Sequence, residues 1–141
     1  MSSLTGGQAL AKALVFAFPT ALGVKVAHPD RPVVSLIGDG GSLFAASELA
    51  TVVQHEIAAV TVIFNDGAYG NSNRDQRERF GGREIGTLPR NPDFGLLARS
   101  FGAEGIRIEG TEQLAGALRE ALGSNRPAVI ECPIDRLPSP F

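Results

Sequence analysis

The chain has 141 residues, 43% hydrophobic and 20% charged, an ordinary content for one globular domain built on a single core. Thirteen basic and 15 acidic residues leave a net charge of -2, which gives no electrostatic ground for a nucleic-acid partner or an acidic membrane surface. One cysteine, Cys132, excludes an intrachain disulfide and a cysteine-cluster metal site, and it fits a reducing, cytoplasmic setting.

Residues 1–15 form an atypical N-terminal segment. The stretch KALVFAFPTALGVKVA has the lysine, apolar run and small residues of a loose secretory signal. Pro19, Gly23 and Lys25 interrupt it too often for a membrane span. It reads instead as a pair of core or interface helices broken near Pro19. The apolar run over residues 9–18 predicts an interface, and so a homo- or hetero-oligomer. Residues 32–37 form an apolar strand. A glycine turn, GDGGS, follows, and residues 42–56 repeat apolar positions at helical spacing (Leu43, Ala46, Leu49, Ala50 and Val53) behind Ser42 as N-cap. Residues 58–65, AAVTVIFN, are a second strand rich in β-branched side chains.

A long connection, DGAYGNSNRDQRERFGGREIGTLPRNP, covers residues 66–92. Its charged run, Arg74, Asp75, Arg77, Glu78, Arg79, Arg83 and Glu84, has the alternation of a solvated helical face. Then come a short helix over residues 93–102 ending at Gly102, a strand over 104–110, a helix capped by Thr111 and closed by Gly123, and a last strand over 127–134 that makes Cys132 a buried, inert thiol. Residues 136–141 read as a loose tail. Apolar strands alternating with helices predict an α/β fold: a single three-layer domain over residues 1–141, with a mainly parallel sheet and helices on both faces.

The GDGGS turn and the long connection both follow strands, so they open on the carboxyl edge of the sheet, where open α/β folds bind ligands. A glycine turn between strand and helix is suited to phosphate, yet this one holds a carboxylate, Asp39. A hard cation between the two resolves that conflict. Magnesium takes oxygen ligands, and Asp39 and the Asn65 side-chain carbonyl supply two if their strands are neighbours. Gly67 can turn a backbone carbonyl inward.

Gly38-Asp39-Gly40, then 24 residues, then Asn65-Asp66-Gly67 resembles the fingerprint of thiamine diphosphate enzymes. FPTALGVKVAHPDRPVVSLIGDGG, ELATVVQHEIAAVTVIFNDGAYG, NPDFGLLARSFGAEG and RPAVIECPID are similar to the diphosphate-binding C-terminal domain of the acetolactate synthase and benzoylformate decarboxylase group. The resemblance implies that Asp39, Asn65 and Gly67 bind Mg2+. It implies that Gly38, Gly40, Gly41 and Ser42 surround the diphosphate, with Ala68, Tyr69 and Gly70 continuing that shell. It further implies a lyase or transferase acting on 2-oxo acids through thiamine diphosphate, with a second, pyrimidine-binding domain supplying an activating glutamate. The chain departs from the group at Phe64, where many members have a second asparagine, and at Val15 and Ala17, where glycines are expected near the pyrimidine. Glu48, Glu56 and Glu131 do not match the activating glutamate and read as surface or strand residues. The expected function is therefore a cofactor-binding domain or subunit that is inactive without its partner domain. The alternatives are a non-catalytic remnant of the group and a dinucleotide-binding domain using Asp66, although GDGGSL lacks the third glycine of that motif. His28 and His55 are expected in solvent.

Overall fold

The computed structural model describes residues 17–136. In chain order they form α1 (Ala17–Ala27), β1 (Val34–Gly38), α2 (Asp39–Phe44), α3 (Glu48–Gln54), β2 (Val60–Asn65), α4 (Gly70–Arg79), α5 (Phe94–Phe101), β3 (Glu104–Arg107), a 3-10 turn (Thr111–Gln113), α6 (Leu114–Ser124) and β4 (Ala128–Pro133). The strands make one sheet in the order β1-β2-β4-β3, and every pairing is parallel.

Apolar alternation divides the sheet into two faces. Ile37, Ile63 and Val129 point to one side and pack with Phe18 and Leu22 of α1, Leu49 and Val52 of α3, and Phe94 and Ala98 of α5. Val60, Val62 and Ile130 point to the other and pack with Ala117 and Ala121 of α6. The expected three-layer α/β arrangement is what the chain adopts. The helix α5 lies so close to β3 that a Cβ on Gly105 would stand 2.0 Å from the Gly95 carbonyl oxygen. Glycine at both contact points permits this approach.

Several local expectations are corrected. Residues 42–56 are not one helix. The helical backbone starts at Asp39, and Ser42 is inside it, its hydroxyl donating to the Asp39 carbonyl at 2.7 Å rather than capping. A turn of i to i+3 bonds, Ala45 to Ser42 and Glu48 to Ala45, then separates α2 from α3. Pro19 does not break α1, because it lies in the first turn, where a missing N–H costs no hydrogen bond. The other helix of the expected pair, the segment 1–15, Val15, and all of the expected tail except Arg136 lie outside the described residues. Thr111 opens a 3-10 turn with no side-chain cap, Asn125 rather than Gly123 ends α6 in a left-handed conformation (φ 52), and β3 stops at Arg107. Cys132 is fully buried, and burial pushes its thiol up. His28 and His55 are exposed.

The long connection contains α4 and is held by polar contacts. Buried Asn73 donates to Glu84 Oε2 (2.6 Å) and Thr87 Oγ1 (3.0 Å), while Gln76 exchanges hydrogen bonds with the Ile85 backbone. The outer face of α4 carries an exposed Asp75–Arg79 pair at 3.1 Å, as a solvated helical face should. Because β2 lies between β1 and β4, with Gly38 beside Phe64 and Asn65 beside Pro133, the carboxyl ends of all three strands converge.

Candidate functional site

β1 runs into α2 without an intervening loop. Gly38 is extended (φ -80, ψ 159) and Asp39 is already helical. On the neighbouring strand the chain leaves β2 through two side-chain turns: Asn65 Oδ1 accepts from the Gly67 N–H and Asp66 Oδ1 from the Ala68 N–H, both at 3.1 Å. Gly67 takes φ 67, which a side chain would strain. Tyr69 then donates its backbone N–H to the Thr87 carbonyl (2.9 Å), and α4 begins at Gly70. The Tyr69 ring lies on Gly40, where an added Cβ would be 2.6 Å from the ring.

Between these turns lies a cleft of about 380 Å³, lined by Gly38, Asp39, Gly40 and Gly41 on one side and Asp66, Ala68, Tyr69, Gly70, Asn71 and Ser72 on the other. The first turns of two helices, α2 and α4, border it. Their leading N–H groups have no intrahelical acceptor and carry the positive ends of the helix dipoles, which favours an anionic ligand. Seven of the ten residues singled out in the sequence thus share one cleft. Asn65 and Gly67 stand beside it. Ser42 does not line it: its side chain is buried on the side of Phe18, Ala46 and Leu49.

Beside the cleft is a polar network that sequence reasoning missed. Asp39 is 3% exposed. Its Oδ2 accepts from Asn91 Nδ2 at 2.5 Å, and the same nitrogen donates to Asn65 Oδ1 at 2.9 Å. The Asp39 and Asn65 oxygens therefore lie within two hydrogen-bond lengths of each other, aimed at one point. The other half of the Asn91 amide, Oδ1, is buried with no partner among the described residues. From behind, Glu131 Oε1 accepts from Asn65 Nδ2 (2.8 Å) and from Arg107 Nη1 (2.8 Å), and Glu131 Oε2 accepts from the Phe94 N–H (3.0 Å). Glu131 was expected to be a surface or strand residue. It is a strand residue, but it is fully buried at the base of the site. A charged residue within the apolar strand AVIECP was the available signal; for Asn91 the signal was the polar NPD preceding α5.

Electrostatically the cleft lacks positive charge. Burial, and then the neighbouring Asp39 charge, push the Asp66 carboxyl up, against the Ala68 N–H bond and the charge of Arg136. Two convergent oxygens, one of them charged, suit a hard cation, and the Asn91 N–H2 group holds the place such a cation would take. Among the described residues no group of three or more His, Cys, Asp or Glu side chains could hold a metal. A cation here would be completed by amide, backbone and ligand oxygens, which is how Mg2+ is held with phosphates. The residues present fit that group.

Comparison with known proteins identifies a family. The family model "Thiamine pyrophosphate enzyme, C-terminal TPP binding domain" matches residues 4–132. The chain is 38% identical over 121 residues to a probable acetolactate synthase large subunit of Methanocaldococcus jannaschii, covering 85% of this chain and 20% of that protein. It is 35% identical over 124 residues to benzoylformate decarboxylase of Pseudomonas aeruginosa, covering 85% of this chain and 23% of that protein. The solved thiamine diphosphate-dependent 4-hydroxybenzoylformate decarboxylase of Rhodococcus jostii RHA1 superposes with a TM-score of 0.79 at 32% identity, over 86% of this chain and 23% of that one. The chain thus spans about a fifth of the length of these relatives. With a parallel sheet, a cleft bordered by two helix starts and a family match over most of its length, the chain belongs to the family of C-terminal TPP-binding domains of thiamine pyrophosphate enzymes.

Proposed function

We propose that this chain binds the diphosphate of thiamine diphosphate together with Mg2+, as the C-terminal domain or a subunit of an enzyme that decarboxylates 2-oxo acids or joins their fragments. The observation that carries this reading is the Asn91 amide nitrogen seated between Asp39 Oδ2 and Asn65 Oδ1, a neutral donor where two oxygens would take a cation. In this reading Asp39, Asn65 and the Gly67 carbonyl would hold Mg2+, at the place that the Asn91 amide nitrogen occupies. The first N–H groups of α2 and α4 orient the diphosphate oxygens, with Gly40 bringing backbone close beneath Tyr69. When bound, the cofactor supplies the nucleophilic carbon and the electron sink for cleavage beside a 2-oxo group.

This chain's residues supply binding, orientation and charge balance. An activating glutamate would come from a separate or linked pyrimidine-binding domain. Glu56 is exposed, Glu48 lies in α3, and Glu131 is committed to Asn65, Phe94 and Arg107. The dinucleotide alternative is set aside by the match of residues 4–132 to the thiamine pyrophosphate enzyme family. The test is isothermal titration with thiamine diphosphate in the presence and absence of Mg2+. Binding should require the cation and be lost in Asp39→Ala. Equal binding without Mg2+, or in that variant, would contradict the proposal.

A further inference from the structure

We infer that Glu131 is the positioning residue that sets the cation site, by fixing which end of the Asn65 amide faces Asp39. The inference rests on the proposed cation reading and goes beyond it.

The two ends of an asparagine amide have nearly the same shape and opposite hydrogen-bond character, so what stands behind the amide decides which end points forward. Behind Asn65 stands Glu131, 0% exposed, on the neighbouring strand β4. Both Glu131 oxygens face donors, Arg107 Nη1 and the Phe94 N–H, so Glu131 is the acceptor of this cluster and Asn65 gives it Nδ2, at 2.8 Å. Oδ1 is then left facing forward, where it accepts from the Gly67 N–H and from Asn91. With the amide reversed, Nδ2 would point at the position of the cation and repel it.

Glu131 is itself held from two further sides. Arg107 of β3 balances its charge at 2.8 Å, and the Phe94 N–H at the start of α5 binds Oε2 at 3.0 Å. That second bond also anchors the chain three residues beyond Asn91. One buried carboxylate thus governs the orientation of one oxygen ligand and anchors the segment that carries the amide between the two ligands. Partners behind a metal ligand commonly change metal affinity by about 10- to 100-fold when altered.

The test uses the full chain and Mn2+ in the presence of thiamine diphosphate, read by electron paramagnetic resonance, with thermal melting alongside. E131L removes the acceptor behind Asn65, and Mn2+ affinity should fall by about 10- to 100-fold. Aspartate at position 65 has an oxygen at either end, so in an N65D background E131L should change Mn2+ affinity far less. In the wild-type chain, the Asn65 side-chain amide protons should exchange with water far more slowly than those of exposed Asn71. That measurement decides the matter even if a variant fails to fold. Wild-type binding lost in Asp39→Ala but kept in a folded E131L would overturn this inference alone. So would an equal loss on adding E131L to N65D, or an Asn65 amide that exchanges as fast as that of Asn71. Absence of Mn2+ binding by the wild type, or its persistence in Asp39→Ala, would overturn the cation reading and this inference together.

Discussion

Two buried polar places in this domain are built differently. In the middle of the sheet, Ser35 of β1 and Thr61 of β2 stand opposite each other in register, and their hydroxyls bond at 2.8 Å. Either hydroxyl can donate to the other, so each oxygen has its partner within the pair. At the carboxyl edge, four residues further along the chain from each, Asp39 at the start of α2 and Asn65 at the end of β2 also face each other, but both present acceptors and need a third group between them. Asn91 fills the gap with one end of its amide, and the other end is buried without a partner among the described residues. Closed pairing belongs to the scaffold and open pairing marks the site. A buried acceptor without a donor is costly unless a ligand repays it.

The sharpest break of that comparison is on the scaffold side. Gly105→Ala would drive a methyl group into the Gly95 carbonyl. It should lower unfolding free energy by about 3 kcal/mol, as overpacking does, measured by urea denaturation. An unchanged midpoint would show that α5 can shift off β3 freely. Asp39→Asn should do the reverse. It removes one of the two neighbouring carboxylates of the cleft while Asn91 keeps a partner. It should change unliganded stability by less than about 1 kcal/mol, yet weaken Mg2+-dependent cofactor binding at least tenfold, about 1.4 kcal/mol. A large stability loss would make Asp39 part of the scaffold.

Gly40→Ala tests the cleft wall. Its methyl group would displace the Tyr69 ring, so cofactor affinity should fall by roughly 1–2 kcal/mol. Combining it with Tyr69→Ala should give a loss smaller than the sum of the two singles, because the clash has gone. The smallest effect is expected at the closed pair. Thr61→Val should cost about 1 kcal/mol by orphaning the Ser35 hydroxyl, while Ser35→Ala with Thr61→Val should fall nearer to wild type than either single change suggests. Additive losses would mean that the two hydroxyls do not depend on each other.

Much of the scaffold was legible in the sequence because its causes are local. Continuous apolar runs rich in β-branched residues marked β2 and β4, and turn chemistry marked the end of α5, where Gly102 is left-handed at φ 96. The break after Phe44 was not legible. Leu43, Ala46, Leu49 and Val53 keep helical spacing across it, and only the tertiary seat of Ala45 and Val52 against the sheet shows the turn. At the site, GDG and NDG could be read because their spacing carries the constraint. Glu131 and Asn91 could not, because their roles exist only once β4 lies beside β2 and the chain before α5 returns to Asp39. Ser42 entered the expected shell through the family resemblance, largely by its backbone, and its side chain turns inward to the Asp39 carbonyl.

The central claim is that the Asp39–Asn65 gap is a cation site and that Asn91 holds its place. Crystals grown with thiamine diphosphate and Mn2+ would test it by anomalous scattering. The account predicts one anomalous peak at ligand-bond distance from both Asp39 Oδ2 and Asn65 Oδ1, with the Asn91 nitrogen displaced from between them. A peak elsewhere, or cofactor bound with the Asn91 bridge intact, would contradict it.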